Sequence, residues 1–442
     1  MGDYTLEDPG QLGEKGITLL RFEACAPHLL ASPPIDHTAQ APQFSGGTIS
    51  GMSGNRGQST LTVTPLIIFV VGVAILNGNL GVYAVPFQIG AWMDGLHFSA
   101  SQSGLLGTVE IAAMSITAIL VAPLMPRRSP ASVAMAGAIV AIVAQLVTAS
   151  IDQYALLAIA RGVVGLGSGL VFASVVAAVA VTRDPDRLMG LGLAVMNLLF
   201  MVVFVLIPYA LLWHLHRGLF VALAALMIVS IPAFRLLPDR VVADEHGGVR
   251  TPPVGVGFHV AVHFTAIVLL NAGLGALWGF VERVGVQIGL TGETIGTILS
   301  ASTGAMIVGS LFAGWLGVRV GRAIPMLVAS VLCGAAAFAV MTADTLMVYA
   351  ASVMVYGAAY LFISPYIIVG MSSALDPSGR LAPACGGAMF LSYSVGIGGG
   401  GVIADTLSFS AIGWIAAVAC VASGLLFFGN AFALEARQSD VG

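Results

Sequence analysis

The sequence predicts an all-α integral membrane protein of twelve transmembrane helices, arranged as two pseudo-symmetric six-helix bundles. Three observations carry that prediction. The chain of 442 residues is 58% hydrophobic and 9% charged, with a mean hydropathy of +0.97, and so apolar a surface cannot be kept in water. Apolar runs near 20 residues recur twelve times between residues 62 and 432, each long enough to cross a hydrocarbon core of about 30 Å as a helix. The chain also repeats itself at an offset of 192 residues. That offset pairs Asn79 with Asn271, in a chain with six asparagines, and Arg127 with Arg319, Asp152 with Asp344 and Asp184-Pro185 with Asp376-Pro377. The weight rests on rare residues, because Ala, Gly, Val and Leu align by composition alone.

Residues 1–60 are rich in Gly, Pro and Ser and hold no apolar run of signal-peptide length, which predicts a disordered cytoplasmic tail; Met52 is an alternative start. The first bundle is expected over 61–237. Its helices fall at 62–90, with Asn79 and Tyr83 on one face, 103–125, with Glu110, and 131–150, closed by Asp152. They continue at 154–181, with Arg161, and at 188–212 and 217–237, split by His214 and His216. The polar stretch 238–256 reads as a cytoplasmic linker, too short to hold a nucleotide-binding domain. The second bundle, 257–434, repeats the plan at 257–283, 293–317, 323–341, 345–372, 381–404 and 409–432, and residues 435–442 form a short cytoplasmic tail.

Arginine fixes the expected orientation. Arg127, Arg128, Arg183, Arg187, Arg235, Arg240, Arg250, Arg319, Arg322 and Arg380 all fall in alternate loops, which the positive-inside bias places in the cytoplasm together with both termini. The opposite loops carry Asp94, Asp152, Glu293 and Asp344. Lys15 is the single lysine, and scarce lysine beside abundant Ala, Gly and Arg suggests a GC-rich bacterial source and hence an inner membrane. The four cysteines lack metal spacing, and three sit inside expected helices as small apolar residues.

The loop after the eighth helix reads Gly314, Trp315, Leu316, Gly317, Val318, Arg319, Val320, Gly321, Arg322. It resembles the signature of the major facilitator superfamily, G-x-L-a-D-R-x-G-R, with Val318 where the family has aspartate. The matching loop in the first half keeps Arg127 and loses the glycines. Helix four resembles a second family pattern, in which an embedded arginine, Arg161, precedes Gly165, Gly167 and Gly169, although Val164 replaces the usual glutamine. Helix five lacks the family's glycine-proline antiporter motif. The resemblance implies a secondary transporter in which helices one, four, seven and ten line a central cavity. It also makes Arg127, Gly314, Arg319, Gly321 and Arg322 a conformational latch.

A charge within a membrane helix costs on the order of 2.5–3.5 kcal/mol on insertion scales, so buried charges are expected to have partners or work to do. Glu110 and Arg161 lie at similar depth and are expected to pair, either as a proton-coupling pair or as a static clamp. Asn271, Gly275, Trp278 and Glu282 form one stripe on helix seven. Glu282, followed by Arg283, reads either as a solvated interfacial pair or as a proton-binding gate. Expected substrate contacts are Asn79, Tyr83, Arg161, Ser168, Asn271, Trp278, Tyr356 and Tyr360, with Arg161 as a fork for a carboxylate. His259 and His263 share an interfacial face. No phosphate-cradling loop, zinc site or nucleophile elbow is visible, so neither enzyme chemistry, a cofactor nor a metal is expected. The expected function is alternating-access transport of a small organic solute, foremost an organic anion, coupled to protons, by a monomer in the lipid bilayer with no nucleic-acid partner. The alternatives are an exporter of amphipathic drugs or metabolites and a non-transporting sensor.

Overall fold

The computed structural model describes residues 64–182, 184–238, 257–376 and 381–439. The expected amino-terminal tail, the alternative start at Met52, and linker residues 239–256 lie outside them. The described chain is helical throughout: α1 (Pro65–Leu96), α2 (Ala100–Val121), α3 (Pro130–Ser150), α4 (Tyr154–Ala180), α5 (Pro185–Phe234), α6 (Gly257–Gln287), α7 (Gly292–Leu316), α8 (Ala323–Met341), α9 (Leu346–Pro365), α10 (Ser372–Leu375), α11 (Leu381–Thr406) and α12 (Phe409–Ser439). Helix starts follow local chemistry. Thr64, Ser99, Ser129, Asp184, Thr291 and Thr345 each accept a bond from a first-turn amide, and proline follows directly at 65, 130 and 185.

At 50 residues α5 would be about 75 Å long if straight, more than twice a hydrocarbon core. It folds back on itself at His214 and Leu215, whose dihedrals are not helical, Leu215 having φ 47°. The expected fifth and sixth spans are therefore the two arms of α5, and with these counted separately the described residues hold twelve apolar spans. The expected tenth span also differs. Pro365 cannot donate a backbone bond, and α9 gives way there to a π turn (Tyr366–Met371) before α10. At the end of the chain α12 continues to Ser439, past the expected boundary at 434, with Glu435 docked on a neighbouring loop.

Packing follows the internal repeat. In the first half α1 packs on α5, α3 on α4, α2 on α4 and α3 on α5; in the second half α6 packs on α11, α8 on α9, α7 on α9 and α8 on α12. The halves meet through α2 with α11, α5 with α7, and α1 with α6. Glycines set the closest approaches at symmetric places. A Cβ on Gly165 of α4 would strike the Glu110 carbonyl oxygen, and one on Gly357 of α9 would lie 2.8 Å from the Ser302 carbonyl oxygen, each position 192 residues from its mate. Gly314, in the signature loop, has open space around it instead.

Gly165→Ala and Gly357→Ala are expected to lower the thermal midpoint of the purified protein, at about 1–3 kcal/mol each. Gly314→Ala should be neutral or slightly stabilising, since a helix gains from alanine where nothing obstructs it.

Candidate functional site

The first bundle is organised around Arg161, which is fully buried on α4. Its guanidinium forms an ion pair with Glu110 of α2, donates to Gln145 Oε1 of α3 at 2.7 Å and to Gln88 Oε1 of α1 at 3.1 Å. Two stacked rings lie to one side of it: the guanidinium carbon is 5.0 Å from the Phe220 centroid on α5 and 5.7 Å from that of Trp92 on α1, and the two centroids are 5.5 Å apart. One cation thus engages α1, α2, α3 and α5 from α4. Glu110 Oε1 rests against Gly81, where a side chain on α1 would collide with it. The sequence marks Arg161 as a substrate fork; in this arrangement Glu110, Gln145 and Gln88 engage its Nη1 and Nη2, Nε is buried with no partner among the described residues, and the stacked rings lie to one side.

The helices α1 and α6, which meet across the two bundles, carry a matched pair of buried amides. Asn79 Nδ2 donates to the Ile75 carbonyl at 2.9 Å, and Asn271 Nδ2 donates to the Ile267 carbonyl at 2.9 Å, each one turn back on its own helix. A tyrosine hydroxyl serves each half as well. Tyr360 donates to Asn271 Oδ1 at 3.4 Å, while Tyr83 donates to Asn197 Oδ1 of α5 at 3.3 Å. Rings run between them as a ladder that crosses the boundary: Phe200 to Tyr83 at 4.1 Å, Tyr83 to Phe204 at 6.4 Å, Phe204 to Trp278 at 6.2 Å, Trp278 to Tyr356 at 5.9 Å, and Tyr356 to Tyr360 at 6.1 Å. Trp278 Nε1 donates to the Val82 carbonyl of α1 at 3.0 Å, joining the halves. Ser168 is buried seven residues beyond Arg161 on the same face of α4.

Glu282 and Arg283 are not a solvated pair. Both are buried at the end of the molecule opposite the arginine-rich loops. Arg283 Nε and Nη2 bond the Glu282 carboxylate at 2.5 and 2.6 Å, and its Nη1 and Nη2 bond both oxygens of Asp94, on α1, at 2.7 and 2.9 Å. Gly90 makes room: a Cβ there would lie 2.5 Å from Glu282 Oε2. His263, expected at an interface, is fully buried, with Nε2 3.3 Å from the Ile367 carbonyl. His259 Nδ1 lies 2.6 Å from Asn430 Oδ1 of α12.

At the arginine-rich end, the loop residues split in role. Gly317 and Gly321 have φ of 53° and 71°, a region that favours glycine. Arg319 turns back to the Trp315 carbonyl and over the Trp315 ring. The backbone amide of Arg322 donates to Glu435 Oε1 at 2.8 Å, and Tyr366 donates to the Gly317 carbonyl at 2.7 Å. Arg127 ends a 3-10 turn and lines a shallow groove with Arg128 and Ser132.

Sequence reasoning missed Gln145, Trp92, Phe220, Asn197, Asp405 and Glu435. A depth comparison would have found Gln145: it, Gln88, Glu110 and Arg161 all lie within about three turns of the same end of their helices. Among the described residues no cluster of three or more His, Cys, Asp or Glu suits a metal ion.

The sequence profile described as Major Facilitator Superfamily matches residues 67–376. Among solved structures, the chain is similar to the crystal structure of the nucleoside transporter NupG (D323A mutant). That match has a TM-score of 0.66 and 15% identity, and covers 83% of this chain and 99% of that one. No curated protein matches.

Arg161→Leu is expected to destabilise the first bundle by about 3–5 kcal/mol, because it strands the Glu110 carboxylate. The pair Glu110→Leu with Arg161→Leu should cost less than the sum of the single changes. Thermal unfolding in a double-mutant cycle measures both.

Proposed function

The chain belongs to the major facilitator superfamily, and from that premise we propose that it is a secondary transporter carrying a small, ring-bearing and uncharged organic solute by alternating access. In this proposal the arginine-rich loops face the cytoplasm of a bacterial cell, following the positive-inside bias. The solute binds between the bundles, near the pseudo-two-fold that relates Asn79 to Asn271.

The observation that carries the solute class is the contrast between the two polar regions of the interior. Charge is confined to closed clusters. Glu110 with Arg161, and Glu282 with Arg283 and Asp94, are each internally paired. The contact between the bundles offers instead amides, tyrosine hydroxyls and a ladder of rings. Rings supply faces for stacking, and amides read hydrogen-bonding edges. A neutral solute with a flat ring and polar edges uses both, whereas a carboxylate finds no free cation there among the described residues. Nucleosides belong to this class, and the similar solved structure is that of a nucleoside transporter.

A second reading keeps the organic anion. Arg161 stands at similar depth to the ring ladder, and protonation of Glu110 would leave its charge for a carboxylate. That route couples a proton to an anion in one step, and it requires Arg161 to swing clear of Trp92 and Phe220.

Proteoliposomes with an imposed pH gradient separate these readings when loaded in turn with labelled adenosine, benzoate and ethidium. Adenosine counterflow is the expected result, with Asn79→Ala and Tyr360→Phe each lowering it about tenfold, the loss of about 1.4 kcal/mol of contact. Benzoate uptake whose pH dependence vanishes in Glu110→Gln would replace the neutral solute with the anion. Ethidium extrusion would make the protein a drug exporter, and inactivity toward every solute would favour a sensor.

A further inference from the structure

The bundles meet along two lateral seams that the internal repeat relates: α2 with α11, and α7 with the first arm of α5. Their packing starts alike. A Cβ on Gly104 of α2 would lie 2.9 Å from the Ile397 carbonyl oxygen, and one on its mate, Gly296 of α7, would lie 2.5 Å from the Phe204 carbonyl oxygen.

The seams differ where they reach the end opposite the arginine-rich loops. Asp405, in the last turn of α11, accepts from the Ala100 amide at 3.1 Å and from the Ser101 amide at 2.8 Å. These are the first two residues of α2. Ser99 already caps the Gln102 amide, so Asp405 takes two further donors that a helix start leaves unpaired, and its charge faces the positive end of the helix. A carboxylate of one bundle therefore caps a helix of the other. Farther along, Thr108 donates to the Ser394 carbonyl at 2.7 Å and Ser115 to the Gly387 carbonyl at 3.1 Å, so the seam is bonded over most of its length.

The other seam has no such fastening. α7 is capped by its own Thr291, carries Glu293 in its first turn, and receives no carboxylate of the first bundle among the described residues. A groove of about 870 Å³ opens there instead, bounded by Gly95, the turn of α5 from Pro208 to Arg217, and Thr291 to Glu293. It lies next to Asp94, whose bond to Arg283 is the remaining ionic tie across this end among the described residues.

We propose that the two seams divide the work: α2–α11 is a hinge pinned by Asp405, and α5–α7 is the seam that parts to let solute in from the groove. The proposal rests on the alternating-access reading above. Release of Arg283 from Asp94 then opens one side of the molecule while the cap on α2 holds the other. Asp405 accepts from two backbone amides and also interacts with the Ser99 and Ser101 side chains, so residues other than proline at positions 100 and 101 keep the two backbone bonds of the pin.

Spin labels on the full-length protein in lipid nanodiscs test the division, with one pair at Leu105 and Val402 and another at Leu212 and Glu293, all exposed positions. Pulsed dipolar spectroscopy reads the distances. In Asp94→Ala the Leu212–Glu293 pair should gain a longer distance, with about a fivefold rise in its population, while Leu105–Val402 stays unchanged. Adding Asp405→Ala should lengthen Leu105–Val402 as well. Asp405→Asn, which keeps an acceptor oxygen for capping, should not. Equal widening of both seams in Asp94→Ala, no widening of either, or indifference of Leu105–Val402 to Asp405→Ala overturns the hinge. Adenosine, benzoate and ethidium counterflow on the same preparations separates the two failures: transport with symmetric widening removes the hinge alone, and no transport with no distance change removes the alternating-access reading as well.

Discussion

The charge on Arg161 is the constraint from which the first bundle takes its form. A guanidinium far from water needs acceptors, and the protein supplies them to Nη1 and Nη2 with groups drawn from helices that are far apart in sequence. Glu110, Gln145 and Gln88 supply acceptors, and the stacked rings of Trp92 and Phe220 lie to one side. The geometry has consequences for neighbours. Gly81 and Gly165 must lack side chains because the Glu110 carboxylate and its backbone occupy the space. The second bundle has nothing comparable at the matching position, where Val353 stands for Arg161 and the Ser302 hydroxyl simply donates to the Val353 carbonyl. One half is thus held by charge and the other by close packing, although both derive from one plan.

Much of the fold was legible because membrane helices announce themselves in one dimension. Apolar length and the 192-residue offset are properties of short windows or of rare residues. The break in α5 was legible in part, since His214 and His216 mark it, but the left-handed turn at Leu215 has no residue-type signal. The site was harder. Depth arithmetic brought Glu110 to Arg161 because the two lie equally far along their helices. It gave no means of seeing that glutamines complete the fork, because glutamine also occurs as a packing residue. Glu282 and Arg283 looked solvated at the end of a helix, and only the approach of α1 at Gly90 makes them buried. Asp405 was hard to see because two of its partners are amides, which every residue but proline has.

The internal repeat gives the contrast between matched and unmatched residues a physical meaning. Asn79 and Asn271 make the same bond to the same point on their own helices, so the duplicated unit has kept its local chemistry where the bundles face each other. Paired charges appear where the repeat has been broken. Glu282 even touches its own mate position, Gly90, across the contact of α1 and α6. Symmetry there made an addition on one helix possible only because the other helix carried no side chain.

Glu435, on α12, bonds the amide of Arg322, 113 residues earlier. During synthesis the turn from Gly317 to Arg322 leaves the ribosome long before that carboxylate does. The turn must wait, held by glycine dihedrals and by the hydroxyl of Tyr366, until α12 is inserted. Completion of the basic loop is therefore tied to the arrival of α12: until that helix is in place, the turn lacks its clasp.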